Sequence, residues 1–203
     1  MVMRVGVLVS GRGSNLAALL EDAARADAPY TVALVLSNRA DAPALARARA
    51  TGVPALAVTR DGFASRAAWH GELLRLLREH GVELVALAGF DQILHPVVVA
   101  AYPERILNIH PSLLPAFTGT LRAQEAALAH GVKVSGCTVH LVTPEVDAGP
   151  IVAQAAIPVR DDDTVASLSE RILAEEHRLF PHAVRLFAQG RVRVEGRRVV
   201  IRA

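Results

Sequence analysis

The chain has 203 residues, of which 52% are hydrophobic, so it can bury a sizeable core as one compact domain with at most a small appendage. Its formal net charge is only +2, and its basic residues form neither a run nor an aromatic-interleaved stripe, which argues against nucleic-acid binding. A single cysteine, Cys137, excludes an internal disulfide, and without a signal peptide or an apolar run of membrane-spanning length we expect a cytoplasmic protein that does not enter membranes.

Short apolar runs alternate with helical stretches through the first half of the chain, a pattern typical of parallel strands joined by crossover helices. The predicted strands are residues 4–10, 31–37, 53–58, 83–88 and 105–109. The predicted helices are residues 14–26, 43–51, 65–80 and 95–101. Because the strands are apolar at both alternating sets of positions, helices should cover both faces of the sheet. The pattern predicts an α/β fold with a doubly wound, mostly parallel sheet.

After Pro115 the pattern changes. A helix is predicted at 121–129, followed by strands at 133–142 and 151–159 and by a long helix at 164–189 that Gly190 ends. A terminal hairpin over 191–201 should turn at Glu195 and Gly196. Neither a repeat nor a disordered linker interrupts this order, so we predict a single domain over residues 1–203.

The first predicted strand runs directly into Gly11, Arg12, Gly13, Ser14 and Asn15, which predicts a tight turn that opens a helix. Free backbone N–H groups and the helix dipole at such a start suit a phosphate. A nicotinamide cofactor is disfavoured because the dinucleotide fingerprint lacks its third glycine and its acidic residue, and the absence of a Walker lysine disfavours nucleotide triphosphate hydrolysis. The alternative is a turn that needs glycine only for its geometry.

Strand alternation places Asn108 and His110 on one face at the end of the fifth predicted strand, which Pro111 ends. Open α/β sheets bind ligands at this carboxyl edge. An amide donor beside an imidazole suits the stabilisation of an oxyanion at an acyl carbon, with the imidazole as acid or base. The alternative is a polar pair that only caps neighbouring loops.

The loop over 143–150 places carboxylates between two predicted strands. A carboxylate near His110 would favour the imidazolium form, which is the better donor to a developing oxyanion. In the alternative reading Asp147 only caps the turn before Gly149, and Glu145 is a solvated turn residue.

Glu176 falls on the apolar face of the long helix, where a carboxylate is either paired, at the margin of the core or lining a cleft. That face is traced at helical spacing by Val165, Leu168, Ile172, Leu179 and Ala183. His177 and His182 are five positions apart and therefore lie on different faces, so we expect no metal site on this helix.

Six segments, in the same order, resemble the phosphoribosylglycinamide formyltransferases. They are VLVSGRGSNL, LAGF, QIL, ILNIHPSLLP, KVSGCTVHLV and EVDAGPI, and the resemblance extends to about Gly190. It implies a Rossmann-like formyltransferase that transfers a formyl group from 10-formyltetrahydrofolate, as co-substrate and without a metal, to glycinamide ribonucleotide in purine biosynthesis. It implies small-molecule partners only, and we expect a monomer or a weak homodimer.

The resemblance also implies residue roles. The catalytic residues would be Asn108, His110 and Asp147. The acceptor would contact Gly13, Ser14 and Asn15 through its phosphate and Glu176 through its ribose. The folate would contact Arg66, Asp91, Gln92, Ile93, Leu94, Asn108, His140 and Val142. The domain would then divide into a phosphate-binding half (1–100), a catalytic and folate-binding half (101–190) and the hairpin (191–203).

The sequence departs from the family pattern in three places. Asp91 and Gln92 stand where Met-Arg is common, Leu173 stands where Lys or Gln often supports the phosphate, and the segment 118–124 lacks a histidine often found there. Two other functions remain open, a formyltetrahydrofolate hydrolase and a non-catalytic ligand-binding module, whereas a chain of this length is expected to be too short for a methionyl-tRNA formyltransferase. A formyltetrahydrofolate hydrolase would usually carry a further N-terminal domain, and a methionyl-tRNA formyltransferase a further C-terminal one. A non-catalytic ligand-binding module need not bring the three catalytic candidates together.

Overall fold

The fold is that of a computed structural model, which describes residues 2–202. The strands are Met3–Val9 (β1), Tyr30–Ser37 (β2), Ala55–Ala57 (β3), Leu84–Leu87 (β4), Ile106–His110 (β5), Val134–Leu141 (β6), Ile151–Pro158 (β7), Val192–Glu195 (β8) and Arg198–Ile201 (β9). The helices are Ser14–Ala23 (α1), Pro43–Ala50 (α2), Arg66–Glu79 (α3), Pro96–Ala101 (α4), Ala123–His130 (α5) and Val165–Ala188 (α6). Every predicted element is present. Met1 and Ala203, the ends of the predicted domain, lie outside the described residues.

Seven strands form one sheet in the order β3-β2-β1-β4-β5-β6-β7, and β8 and β9 form the separate terminal hairpin. The pairs from β3 to β5 are parallel, whereas β6 runs antiparallel to both of its neighbours. The predicted doubly wound, mostly parallel sheet is therefore confirmed. The chain moves outwards from β1 to β3 and then returns to β4, so the carboxyl ends of β1 and β4 flank the switch point where such sheets bind ligands.

Both faces of the sheet are covered, as the apolar strand patterns predict. One buried cluster packs strand residues such as Leu107 and Ile109 against α1 and α6. The other packs Ile106 and its neighbours against α3 and α4. Alternating positions of β5 thus supply both cores, and the same alternation directs the polar side chains of Asn108 and His110 away from the cluster that contains α6.

Helix α6 begins at a capping box. The side-chain oxygen of Thr164 accepts the backbone N–H of Ser167, and the side-chain oxygen of Ser167 accepts the backbone N–H of Thr164. Four of the five predicted stripe residues are buried, and Val165 in the first turn is 47% exposed. Near the other end, Arg185 forms an ion pair with Asp22 of α1 at 2.8 Å. This packing brings Glu176, which is 6% exposed, to the start of α1.

Within residues 2–202, no helix combines the length and apolar character required to cross a lipid bilayer. The same described residues contain no group of three or more histidine, cysteine, aspartate or glutamate side chains arranged to hold a metal ion.

Candidate active site

A cleft of about 630 Å³ opens at the carboxyl ends of β1, β4 and β5, within the usual size range of small-molecule sites. Most of the predicted site residues line it, and Gly13 and Arg66 do not. Those that do are Ser14, Asn15, Asp91, Gln92, Ile93, Leu94, Asn108, His110, His140, Val142, Asp147 and Glu176. The cleft therefore joins the glycine loop, the end of β5 and the loop that carries Asp147 in one concave surface.

The amide of Asn108 is oriented by a histidine on the neighbouring strand. Asn108 is directly opposite His140 in the β5–β6 register, and its Nδ2 donates to His140 Nε2 at 3.1 Å. Nδ1 of His140 donates to the carbonyl of Leu141 at 2.9 Å, which leaves Nε2 as the acceptor in the neutral ring. Because the amide nitrogen carries two hydrogens, its second N–H is left for a ligand in the cleft.

The imidazole of His110 is hydrogen-bonded at one nitrogen, faces a carboxylate with the other, and is only 5% exposed. Its Nε2 donates to the carbonyl of Phe117 at 2.9 Å, and its Nδ1 lies 3.6 Å from Asp147 Oδ2. A ring that takes up a proton at Nδ1 would thus do so beside a carboxylate, which stabilises the positive charge. The structure brings together two side chains that the sequence placed at a strand end and on a separate loop.

Asp147 lies between two imidazoles. Its Oδ1 is 3.5 Å from His140 Nε2, and its Oδ2 accepts the backbone N–H of Gly119 at 2.8 Å. Interaction with His140 in its protonated form, opposed by burial and aided by Gly119 and His110, lowers the pKa of Asp147 to about 2. The carboxylate is therefore ionised at neutral pH and provides a fixed negative charge beside both rings.

The backbone at the Asp147 loop adopts a conformation that aims this carboxylate inward. Asp147 has φ 51°, in the left-handed region that aspartate tolerates better than most residues. Two residues later, a Cβ on Gly149 would come within 1.8 Å of the Leu141 carbonyl oxygen. Only glycine fits so close to β6, and any side chain there would push the loop, and Asp147 with it, away from the histidines.

The segment 111–119 is fixed by polar residues that the sequence did not single out. Thr138 Oγ1 donates to the Ser112 carbonyl at 2.7 Å and accepts the N–H of Leu114 at 3.0 Å. Gln154 Nε2 donates to the Leu114 carbonyl at 3.0 Å. These bonds hold the segment whose backbone contacts His110 and Asp147. Thr138 is two residues before His140 on the same face of β6, which is a signal that the sequence carried.

The glycine loop, residues 10–13, leads into α1 at the other end of the cleft. Gly13 has φ 73°, and a Cβ there would lie 2.6 Å from the Cβ of Ala44 on α2. Both the backbone conformation and the close approach of α2 require glycine. The need for glycine at position 13 is therefore partly geometric, as the alternative interpretation held. The turn that Gly13 makes leaves the N–H groups at the start of α1 beside the cleft.

Asn15 and Glu176 form a buried pair behind this helix start. Asn15 Nδ2 donates to Glu176 Oε2 at 2.7 Å, and burial raises the pKa of Glu176 while this bond opposes the rise. Asn15 Oδ1 is buried without a hydrogen-bond partner among the described residues. A buried acceptor without a partner, on a residue that lines the cleft, marks a position where a ligand could supply the missing donor.

Arg12 is the functional candidate that sequence reasoning missed. It is exposed and is the only arginine or lysine among the described residues lining the cleft, whose acidic residues are Asp91, Glu145, Asp147 and Glu176. An anionic ligand entering this cleft would meet one fixed side-chain cation, beside the start of α1. Its position inside the glycine loop was the available signal.

The loop between β4 and α4, residues 88–95, forms the remaining wall. Ile93 is 57% exposed and Leu94 is buried. Arg66 donates a hydrogen bond to the Ile93 carbonyl from outside the cleft. Asp91 lines the cleft, but its Oδ1 accepts hydrogen bonds from within the protein, including one from Asn38 Nδ2 at 2.8 Å.

A family model described as formyl transferase matches residues 3–184. The chain belongs to the formyl transferase family. Its members include the phosphoribosylglycinamide formyltransferase of Escherichia coli strain K12, which is 40% identical over 95% of this chain and 90% of that protein. A crystal structure of glycinamide ribonucleotide transformylase 1 from Symbiobacterium toebii is 54% identical, with a TM-score of 0.97, and covers 100% of this chain and 95% of that one.

The formyl transferase similarity also extends to part of much longer proteins. The trifunctional purine biosynthetic protein adenosine-3 of Gallus gallus is 44% identical over 95% of this chain. This chain spans only 19% of the length of that relative.

Proposed function

We propose that the protein transfers the formyl group of 10-formyltetrahydrofolate to the amine of glycinamide ribonucleotide, a step of purine biosynthesis. The observation that carries the proposal is the convergence of Asn108, His110 and Asp147 at one end of a cleft whose other end is the glycine loop. Both substrates are small molecules. We expect a cytoplasmic monomer or weak homodimer whose residues 1–100 mainly bind the phosphate and whose residues 101–190 supply the catalytic groups.

The proposed reaction begins when the acceptor amine attacks the formyl carbon, which turns the formyl oxygen into an oxyanion. The free N–H of Asn108 and the imidazolium of His110 stabilise that charge, and the ionised Asp147 stabilises the imidazolium. Collapse of the tetrahedral intermediate breaks the bond from carbon to the folate nitrogen. The attacking amine loses a proton, and the leaving folate nitrogen gains one as its bond to carbon breaks, so charge and atoms balance.

The acceptor is proposed to bind at the glycine-loop end of the cleft. Its phosphate would meet the N–H groups at the start of α1, around Ser14 and Asn15, together with the guanidinium of Arg12. Glu176 and the unpaired Asn15 Oδ1 are suited to ribose hydroxyl groups, which are donors as well as acceptors. Gly13 contributes by permitting the turn.

The folate is proposed to occupy the opposite wall. The backbone of residues 91–94 and the side chain of Val142 would contact its pteridine ring, and His140 supports this wall by orienting Asn108. Arg66 lies outside the cleft next to Ile93, where it could meet a carboxylate of the glutamate tail. The side chain of Gln92 lines the same wall.

Tetrahydrofolate should form from 10-formyltetrahydrofolate only when glycinamide ribonucleotide is present. The reason is that the acceptor amine is the nucleophile and that the cleft carries an acceptor-binding end, with Arg12, Asn15 and Glu176, which a hydrolase does not need. The measurement is the rate of folate product formation by the purified protein with and without the acceptor. Equal rates would show that the protein is a hydrolase. No product in either case would favour the alternative that it is a non-catalytic binding module.

Arg12→Ala should raise the KM for glycinamide ribonucleotide by about tenfold or more and change the dissociation constant of tetrahydrofolate by less than about twofold. A charge-assisted bond to phosphate is lost, and its loss typically costs about 1.5 kcal/mol or more. The control is Arg47→Ala, which removes the same charge from the exposed end of α2, away from the cleft. Equal losses for both substrates would contradict the assignment of Arg12 to the phosphate.

A further inference from the structure

Three loops that follow β1, β2 and β4 meet at the switch point of the sheet, and each contributes one polar residue. These are Ser10 at the head of the glycine loop, Asn38 immediately after β2, and Asp91 in the loop over 88–95. The three side chains form a cluster of hydrogen bonds between segments that are far apart in sequence. The cluster therefore joins the wall proposed for the folate to the loop proposed for the phosphate.

The cluster contains hydrogen-bond contacts of 2.6 to 3.0 Å. Ser10 Oγ accepts the backbone N–H of Asp91 at 2.9 Å, and the Ser10 N–H donates to the Gly89 carbonyl at 3.0 Å. Asn38 Nδ2 donates to Asp91 Oδ1 at 2.8 Å. The single hydroxyl proton of Ser10 lies within reach of both Asp91 Oδ1, at 2.9 Å, and Asn38 Oδ1, at 2.6 Å. Ser10 itself is only 4% exposed, so the cluster is anchored in the interior of the protein at this residue.

We propose that Asp91 is a positioning residue that couples the two substrate sites, so that filling either site orders the loop of the other. Its carboxylate accepts hydrogen bonds from the residue that precedes Gly11 and from Asn38, while its own backbone begins the segment 91–94. A ligand that fixes the glycine loop therefore fixes Ser10, and through it the position of Asp91. The inference rests on the proposed function, because the two ligands are its two substrates.

A change at Asn38 tests the coupling without removing a residue that lines the cleft. It is not among the residues lining the cleft, yet it supplies one of the hydrogen bonds to Asp91 Oδ1. Gln92 provides the opposite control. It lines the cleft and donates to Asp91 Oδ1 at 3.0 Å, but it is the adjacent residue of the same loop and forms no bridge to the glycine loop. Substitution of Asn38 should therefore abolish the coupling between the two sites, and substitution of Gln92 should not.

The test measures the dissociation constant of tetrahydrofolate by anaerobic calorimetry, with and without saturating glycinamide ribonucleotide. The ratio of the two constants is the coupling factor, which should be roughly fivefold or more in the wild type. Asp91→Ala and Asn38→Ala should each bring it close to one, and Gln92→Ala should leave it at the wild-type value. Asp91→Asn keeps an Oδ1 acceptor for Asn38 and should retain an intermediate factor. Thermal melting confirms that each variant is folded.

A wild type that binds both ligands independently would overturn the inference and leave the proposed function intact. So would an Asn38→Ala variant with full coupling, or an Asp91→Asn variant indistinguishable from Asp91→Ala. A wild type that binds no glycinamide ribonucleotide would instead overturn the proposed function, and the inference with it. The double variant Asp91→Ala with Asn38→Ala should lose no more coupling than either single variant, since both changes break the same junction.

Discussion

Asn108→Ala is expected to lower kcat by about a hundredfold to a thousandfold, the effect of removing one preorganised donor to an oxyanion. The amide is held in place before the reaction by His140, so its free N–H does not need to reorganise as charge develops on the formyl oxygen. Ground-state binding should change little, because the donor acts mainly on the intermediate. Steady-state kinetics with both substrates, together with the dissociation constant of each, measures the two effects separately.

Leu107→Val is the matched control for this change. Leu107 is the preceding residue of β5, faces the opposite core and is not among the residues lining the cleft, so its truncation should cost about 1 kcal/mol of unfolding free energy while leaving kcat near the wild-type value. A comparable fall in kcat for Leu107→Val would mean that kcat responds to any change in the packing of β5 and not only to loss of the amide. A normal kcat for Asn108→Ala would remove the amide from the mechanism.

Asp147→Asn is expected to lower kcat by about a hundredfold or more, the usual contribution of an acid–base group. The amide fills the same volume and can still accept the Gly119 N–H, but it carries no charge to stabilise an imidazolium. Because the pKa of Asp147 is about 2, the wild-type carboxylate is ionised throughout an assay range of about pH 5 to 9. The loss should therefore be present at every pH in that range.

A double variant tests whether the carboxylate acts through His110. The double variant His110→Ala with Asp147→Asn should lose much less than the product of the single losses, since the two groups act as one unit. Independent losses, or normal turnover of Asp147→Asn across the assay range, would show that the carboxylate is only structural. Asp41→Asn, which changes an exposed aspartate outside the cleft, is the control.

Much of the fold could be predicted because its causes are local. Apolar periodicity, glycine turns and proline stops located every strand and helix, and apolar residues on both faces of the strands indicated a sheet covered on two sides. The shared face of Asn108 and His110 follows from strand alternation alone, which is a property of the backbone. The approach of Asp147 to His110 was only a hypothesis, since it depends on a loop that folds back over β6 and on the room that Gly149 provides.

The sequence by itself determined the elements, the polar pair at the end of β5 and the glycine loop before α1, because each depends on residues within a few positions of one another. Only the tertiary structure decided which distant side chains meet. It paired Asn15 with Glu176, joined Asp91 to Ser10 and Asn38, and placed Arg12 at the cleft as its one arginine or lysine within residues 2–202. Such contacts depend on sheet order, strand register and the packing of α6 on α1. These arise from burial of the whole core, so no fixed spacing between residues in the sequence predicts them.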